Sequence, residues 1–447
     1  MQEGPLSGHF TYGRLLRFTV PSVIMMIFVS IYGVVDGIFV SNYAGKTPFA
    51  AVNLIFPFLM VLSAIGFMIG SGGSALIGKT LGEGDRERAD SLFSMLLVLS
   101  FDGASVLSVL GLIFLRPTSA LLGAEGEMLE CCVIYGRILL ISLPAFVLQN
   151  EFQSFFVTAG KPRLGLLVTV MAGVMNIVLD ALFVAGFRWG LVGAAFATAI
   201  SQMVGGILPF CYFCRRNGSL LRIRRFSLDG RALLRVCTNG SSELMSNLSM
   251  SLVSMLYNVQ LLRWAGENGI AAYGVVMYVN FIFISVFIGY SVGSAPPVSF
   301  HFGAGDRREM RSLLRKSTVL MVSAGALLTA VALLLAPFLS GAFVGYDPEL
   351  YEMTVRAFQL CSLAFLVTGV NIYGSAYFTA LNNGLVSAVL SFSRTLVFQL
   401  TALYVLPLWL GLDGIWLAGL ASEVLCMIMT VFFLGHAQRR GALRLTE

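Results

Sequence analysis

Four side chains in this sequence have the chemistry of an ion site: Asp36, Asn176, Asp180 and Thr198. Asn176 and Asp180 stand four residues apart inside an apolar run from Leu164 to Phe187, so a helix there presents both on one face. A run of that length with a single carboxylate reads as a membrane span, and an acid at its centre costs roughly 2.5–3.5 kcal/mol. Asp36 is a second lone acid, in the first apolar run, and Thr198 lies in the run after Asp180. Counted inward from the outer end of each run at about 1.5 Å per residue, Asp36, Asp180 and Thr198 fall at nearly one depth, with Asn176 a turn deeper. Carboxylates, an amide and a hydroxyl supply oxygen ligands for a hard cation, or a place where a proton exchanges. The competing reading is a hydrogen-bonded network that locks helices together. Two buried acids cost more than such a lock requires, so an ion site is the expectation.

The elements that must position these groups follow from composition. Hydrophobic residues make up 57% of the 447, charged residues 12%, and mean hydropathy is +0.84; soluble domains carry about twice that share of charge. The apolar segments predict an all-α polytopic membrane protein with 12 transmembrane helices. They run near 15–41, 49–77, 91–115, 131–158, 164–186 and 190–214, then 232–262, 269–298, 312–336, 350–379, 385–408 and 413–435. The joints between them leave no room for a soluble catalytic domain, and the expected function is not enzymatic. The odd-numbered joints hold only Lys46, Arg116, Arg188 and Arg263, whereas the even-numbered joints and the two ends carry most of the 29 Lys and Arg. By the positive-inside rule both termini are expected in the cytoplasm, in a cell (plasma or inner) membrane. The polar stretch Met1–Tyr12 has no small-residue cleavage site, so no removable signal is expected.

The second half repeats the first at an offset of 221 residues. Gly82, Gly84, Asp85 and Arg86 recur as Gly303, Gly305, Asp306 and Arg307; Asn150, Thr158 and Ala159 as Asn371, Thr379 and Ala380; Gly190 and Gly193 as Gly411 and Gly414. Duplication explains this. An even number of spans per half gives both copies one orientation. The chain should therefore form two six-helix bundles, 1–220 and 221–447, related by a pseudo-two-fold axis along the membrane normal with a cavity between them. Residues 215–231, a basic linker with Arg215, Arg216, Arg222, Arg224, Arg225 and Arg231, join them on the cytoplasmic side. The repeat places Val397, Thr401 and Gly419 opposite Asn176, Asp180 and Thr198, so the candidate site belongs to the first half alone.

Other features have plainer readings. Gly73, Gly78, Lys79 and Thr80 match GxxxxGK[ST], but a phosphate loop needs a strand before it and a soluble nucleotide-binding domain around it. No nucleotide is expected, and no nucleic acid, because the cations lie in joints. Cys211 and Cys214 form a CxxC with no further ligand at zinc spacing. His9, His301 and His436 sit at span ends, so no histidine relay is implied. Arg394 and Glu423 lie at similar depth on consecutive spans and should pair. Asp102, Glu151 and Glu243 have no assignable partner and are candidates for negative charge facing a cationic substrate.

These residues resemble the multidrug and toxic compound extrusion (MATE) family, in its prokaryotic type. The likeness rests on Pro21 and Asp36, the VNLIFP run Val52–Pro57, the GEGD joint, Ala159–Pro162, and the NIVLD…WGLVGAAFAT stretch Asn176–Thr198. It implies a secondary multidrug efflux antiporter whose first bundle binds H⁺ or Na⁺ at Asp36, Asn176, Asp180 and Thr198, with Pro21 as a hinge. Substrates implied are small cationic or amphipathic organic compounds; no cofactor beyond the coupling ion and a monomer in the bilayer are expected. Some members carry coupling acids on helices 7 and 10. Here Glu243 stands on span 7 and span 10 has no acid after Glu352. The alternative is a flippase of lipids or lipid-linked oligosaccharides in the same wider superfamily, which would want a basic cavity. A receptor without transport would need an output domain.

Overall fold

The computed structural model describes residues 5–44, 46–215, 217–345 and 347–439. Twelve helices follow one another, with no strand among the described residues. The first six are α1 (Tyr12–Phe39), α2 (Lys46–Gly82), α3 (Arg86–Leu121), α4 (Gly126–Thr158), α5 (Pro162–Asp180) and α6 (Gly190–Cys214). The second six are α7 (230–265), α8 (Asn268–Gly303), α9 (Arg307–Val344), α10 (Pro348–Ser362 with Phe365–Ala380), α11 (Gly384–Leu410) and α12 (Leu412–Arg439). Gly266, at φ 61° and ψ −149°, parts α7 from α8. The apolar runs read from the sequence fall within these helices, except that 15–41 and 164–186 end in the π-helical turns Val40–Ala44 and Ala181–Gly186 that continue α1 and α5. The helices overrun them because caps lie beyond the apolar stretch. Asp85 accepts from the Arg88 amide at 3.0 Å to start α3, and its repeat Asp306 accepts from the Glu309 amide at 3.0 Å to start α9. Each follows a glycine in the left-handed region, Gly84 at φ 86° and Gly305 at φ 71°, where a side chain would be strained.

Two helices are not simple spans. α10 bends by 46° after Ser362. α7 is too polar in its first turns to pass as a span by composition, yet packing satisfies it: Asn239 Nδ2 donates to Thr379 O at 3.2 Å and Asn382 Oδ1 at 3.0 Å. Those bonds seal α7 against the α10–α11 joint, where Gly384 lets the Thr238–Asn239 backbone approach closely.

The pseudo-two-fold is visible atom by atom where α2 meets α8. A Cβ on Gly82 would fall 1.9 Å from Phe300 O, and one on Gly303 would fall 1.9 Å from Lys79 O. These are one contact written twice, because Gly82 repeats as Gly303 and Lys79 as residue 300. A Cβ on Gly78 would meet Ser299 Oγ at 2.1 Å; residues 78 and 299 are repeats of each other, so the axis passes between them. Further along, Gly72 and Gly240 receive α7 and α2 backbone, while Gly289 and Gly293 receive α1 at Ser22, Val23 and Thr19. All these approaches lie toward the end of the molecule that carries the joints α2–α3 and α8–α9, the basic end. Gly33, Gly37 and Gly274, toward the other end, face open space.

The N-terminal arm also crosses between bundles at the basic end. Glu309 of α9 takes His9 Nδ1 at 2.6 Å and the Phe10 amide at 2.8 Å, and Phe10 and Leu15 are buried in the core of the second bundle. The basic linker is bound to the first bundle. Buried Asp90 accepts from the Arg222 amide at 2.9 Å and pairs with Arg224 at 3.3 Å, and Leu221 is buried. Arg216 lies outside the described residues.

Candidate functional site

Asp36 on α1, Asn176 and Asp180 on α5 and Thr198 on α6 meet inside the first bundle. The Asp36 carboxyl stands beside the Asp180 carboxyl and the Thr198 hydroxyl. Asn176 Nδ2 donates to Thr198 Oγ1 at 3.5 Å, a long bond. Asp180 is fully buried and Asn176 nearly so, while Asp36 and Thr198 are half-buried. Asp36 Oδ1, both carboxyl oxygens of Asp180 and Asn176 Oδ1 are buried with no donor among the described residues. Such oxygens are costly unless something satisfies them.

The helices are built so that these side chains converge. Gly173, one turn from Asn176, admits Phe28 and Tyr32 of α1, so α1 and α5 touch below the acids. Beyond the acids both helices widen. The turn after α5 becomes a π-helix over Ala181–Gly186, and α1 passes into another over Val40–Ala44, with the Val40 amide donating to Asp36 O and Gly37 O. Widened turns of this kind re-aim side chains and recur at functional sites. Gly193 lets α6 seat on the backbone of Phe183, which brings Thr198 to the cluster.

Sequence reasoning missed two members of this neighbourhood. Tyr135 of α4, 2% exposed, stands close to both Asp36 and Asp180, and Tyr32 lies one turn from Asp36 on α1. A lone tyrosine in an apolar span reads as packing. Its only signal was a hydroxyl at a depth where a buried hydroxyl needs a partner.

The remaining candidates separate. Glu151 is 0% exposed on the α4 face that packs against Gly70 of α2, with Ser100 beside it and neither carboxyl oxygen supplied with a donor in the described residues. Glu243, on α7, is half-buried and faces Arg394. Asp102 lies on the exposed outer face of α3 between Phe101 and Val106, 47% and 60% exposed, apart from the other acids. Pro21 is buried in α1, which continues through it, at the place where Gly289 and Gly293 of α8 press on Ser22, Val23 and Thr19.

The second bundle holds a different cluster. Arg394 Nη1 donates to Glu423 Oε1 at 3.2 Å, Glu423 Oε2 accepts from Asn371 Nδ2 at 2.6 Å, and Asn371 Oδ1 accepts from Thr430 at 3.2 Å. The pair read from the sequence is present, and its bonds satisfy it. Thr401 Oγ1 bonds its own helix at Val397 O, and Gly419 faces open space, so the positions opposite the first-bundle site form no counterpart. The residues of the phosphate-loop pattern are helical: Gly73 packs on Leu96 and Phe155, and Lys79 reaches Glu83 at 3.7 Å.

The MatE family matches residues 21–182 and again 244–405. A multidrug export protein, MepA, of Staphylococcus haemolyticus is 23% identical over 96% of this chain and 94% of its own. MepA of Staphylococcus saprophyticus is 23% identical over 93% and 91%. Among solved structures, a MATE in complex with MaL6 superposes with a TM-score of 0.92 at 25% identity, covering 99% of each chain. The outward-facing conformation of a multidrug resistance MATE family transporter gives 0.92 at 25% identity, over 99% of this chain and 98% of that one. A MATE in the bent conformation gives 0.89 at 25% identity over the same shares.

Proposed function

The chain belongs to the MatE family of multidrug efflux transporters, and from that premise we propose a secondary antiporter. It exports cationic or amphipathic organic compounds in exchange for H⁺ or Na⁺. The observation that carries this reading is the meeting of Asp36 with Asp180, Asn176 and Thr198, where buried oxygens of two acids and an amide face one another without donors among the described residues. Two carboxylates this close repel in a low-dielectric interior unless a proton or a cation stands between them. A shared proton turns one acid into a donor for the other. A sodium ion takes the same oxygens as ligands.

The excess of cations at the basic end supports a cytoplasmic placement of that end. The glycine seam between α2 and α8 then supports closure on the cytoplasmic side, with the substrate path between the bundles on the other side. Glu243, on α7 near Arg394, is the candidate counter-charge for a cationic substrate, with the buried Glu151 as a further candidate; Asp102, expected from the sequence to share that role, sits on the outer face of α3 and does not serve it. Pro21 has no amide hydrogen for Arg17 O, which makes α1 easiest to bend at the level where α8 packs on it. Loading the acids relieves their repulsion and changes how α1 packs. If that lowers substrate affinity, linkage requires substrate to lower ion affinity by the same factor, which is exchange.

The test is transport of a fluorescent quaternary ammonium compound in proteoliposomes, with a pH gradient or a sodium gradient imposed separately. Wild type should accumulate or expel the dye under one of the two gradients, and Asp36→Asn should not. Gradient-driven transport that survives in both Asp36→Asn and Asp180→Asn would reduce the cluster to packing.

A further inference from the structure

A cavity of about 590 Å³ opens at the basic end where α1 and α5 part, and Arg14, Arg17, Lys161 and Arg163 line it. No acid lines it among the described residues. Arg14 is committed to the carbonyl oxygens of Ser7 and His9 and lies over the Phe10 ring. Arg17, Lys161 and Arg163 enter no ion pair among the described residues, and Glu309, the acid that meets the N-terminal arm, is taken by His9 and Phe10. The start of α5 adds to the positive field through its helix dipole, although Pro162 has no amide hydrogen and the Leu164 amide donates to Lys161 O at 3.0 Å.

Below the cations the groove is apolar, with Phe18, Leu164, Leu167 and Tyr212 along its wall. It runs into the outward apolar stripes of its two helices, Leu16, Val20 and Ile24 on α1 and Leu167, Met171 and Val174 on α5, all at least 38% exposed. Those stripes face acyl chains in a membrane-spanning bundle. Charge at one end and an open apolar path at the other match an amphiphile with an anionic head. The equivalent place in the second bundle, where α7 meets the α10–α11 joint, is sealed by Gly384 and the amides of Asn239 and Asn382. One copy of the duplicated seam is therefore closed by backbone contact, and the other is held apart and lined with cations.

We propose that this groove binds the phosphate headgroup of an anionic phospholipid, with the acyl chains lying along α1 and α5. A lipid seated there joins the part of α1 before Pro21 to the start of α5, the two helices that bear Asp36 and Asp180 nearer their other ends. That the lipid comes from the cytoplasmic leaflet rests on the orientation proposed above; the binding itself does not.

The experiment is native mass spectrometry of the purified full-length protein titrated with phosphatidylglycerol, with phosphatidylethanolamine and inorganic phosphate in parallel. Wild type should retain phosphatidylglycerol over phosphatidylethanolamine. The triple variant Arg17→Gln, Lys161→Gln, Arg163→Gln should lose affinity by about fivefold per cation removed. The linker variant Arg225→Gln, Arg231→Gln, which changes net charge outside the groove, should bind as wild type does. Should the triple variant fail to fold, Arg17→Gln and Arg163→Gln singly, with Arg17→Lys as the charge-keeping control, carry the same comparison. Equal retention by wild type and groove variants, equal loss in the linker variant, or binding of inorganic phosphate with no preference for the lipid would each overturn the proposal. Transport under either gradient is read separately, so loss of lipid binding and loss of coupling are told apart.

Discussion

At the scale of single residues, the first-bundle cluster gathers groups that no hydrophobic pattern would place together at depth. Asp36→Asn and Asp180→Asn each keep the volume and add an amide donor, so both variants should insert and remain monodisperse while losing gradient-driven efflux. Facilitated dye equilibration across the same vesicles is the control that they are still folded. Tyr135→Phe removes a hydroxyl that lies near both acids without bonding either, so the ion dependence of transport should shift by less than about 2-fold, below the roughly 0.5–1.5 kcal/mol of a lost hydrogen bond, with substrate affinity nearly unchanged. The legibility of this cluster in the sequence was uneven for a physical reason. An acid in a span is expensive and therefore conspicuous, whereas a tyrosine such as Tyr135 is at home in an apolar segment and gives away nothing about what its hydroxyl meets.

At the scale of helices, α1 and the α11–α12 pair behave in opposite ways. Pro21→Ala would restore a donor for Arg17 O and stiffen α1 where α8 packs on it. The expected outcome is retained ion binding with a weaker effect of the ion on substrate affinity, measured by dye binding across a pH or sodium series. Arg394 and Glu423 instead hold α11 to α12 with the help of Asn371. Arg394→Met alone leaves a carboxylate poorly paired, and thermal unfolding in detergent should register a loss on the order of 3 kcal/mol, largely recovered in the double variant Arg394→Met, Glu423→Leu. Loss in the double variant as large as in the single one would mean that the cluster serves more than packing.

At the scale of the whole molecule, the two bundles touch closely along the glycine seam. A Cβ at Gly82 or Gly303 would fall 1.9 Å from a carbonyl oxygen of the other bundle, and neither backbone can yield without separating α2 from α8. Gly82→Ala and Gly303→Ala should each disfavour the closed seam by roughly 1–3 kcal/mol, as overpacked contacts do. On a background without native cysteines, Ser299→Cys should then react faster with a thiol reagent applied at the basic end. Because the two glycines occupy equivalent places about the pseudo-two-fold, the effects should be alike in size. A large difference between them would show that the axis does not govern the seam.

The sequence by itself determined the twelve helices, their bounds to within a turn or two, the duplication, and which acids stand in spans. These follow from local physics: apolar length, caps such as Asp85 and Asp306, and the cost of a charge in hydrocarbon. It also singled out Arg394 with Glu423, because two opposite charges at one depth on consecutive helices have few other ways to be satisfied. What only the tertiary structure decided is which faces turn toward one another. Asp102, Glu151 and Glu243 looked alike as unpartnered acids, yet one lies on the outer face of α3, one is sealed against Gly70, and one faces Arg394. The widened turns after Asp36 and Asp180, the partnership of Gly82 with Phe300, and the groove between Arg17 and Arg163 are likewise absent from any local pattern. Helix rotation and register are set by packing against neighbours distant in the chain, and a repeat of 221 residues constrains both copies to the same fold without dictating that one seam close and the other stay apart.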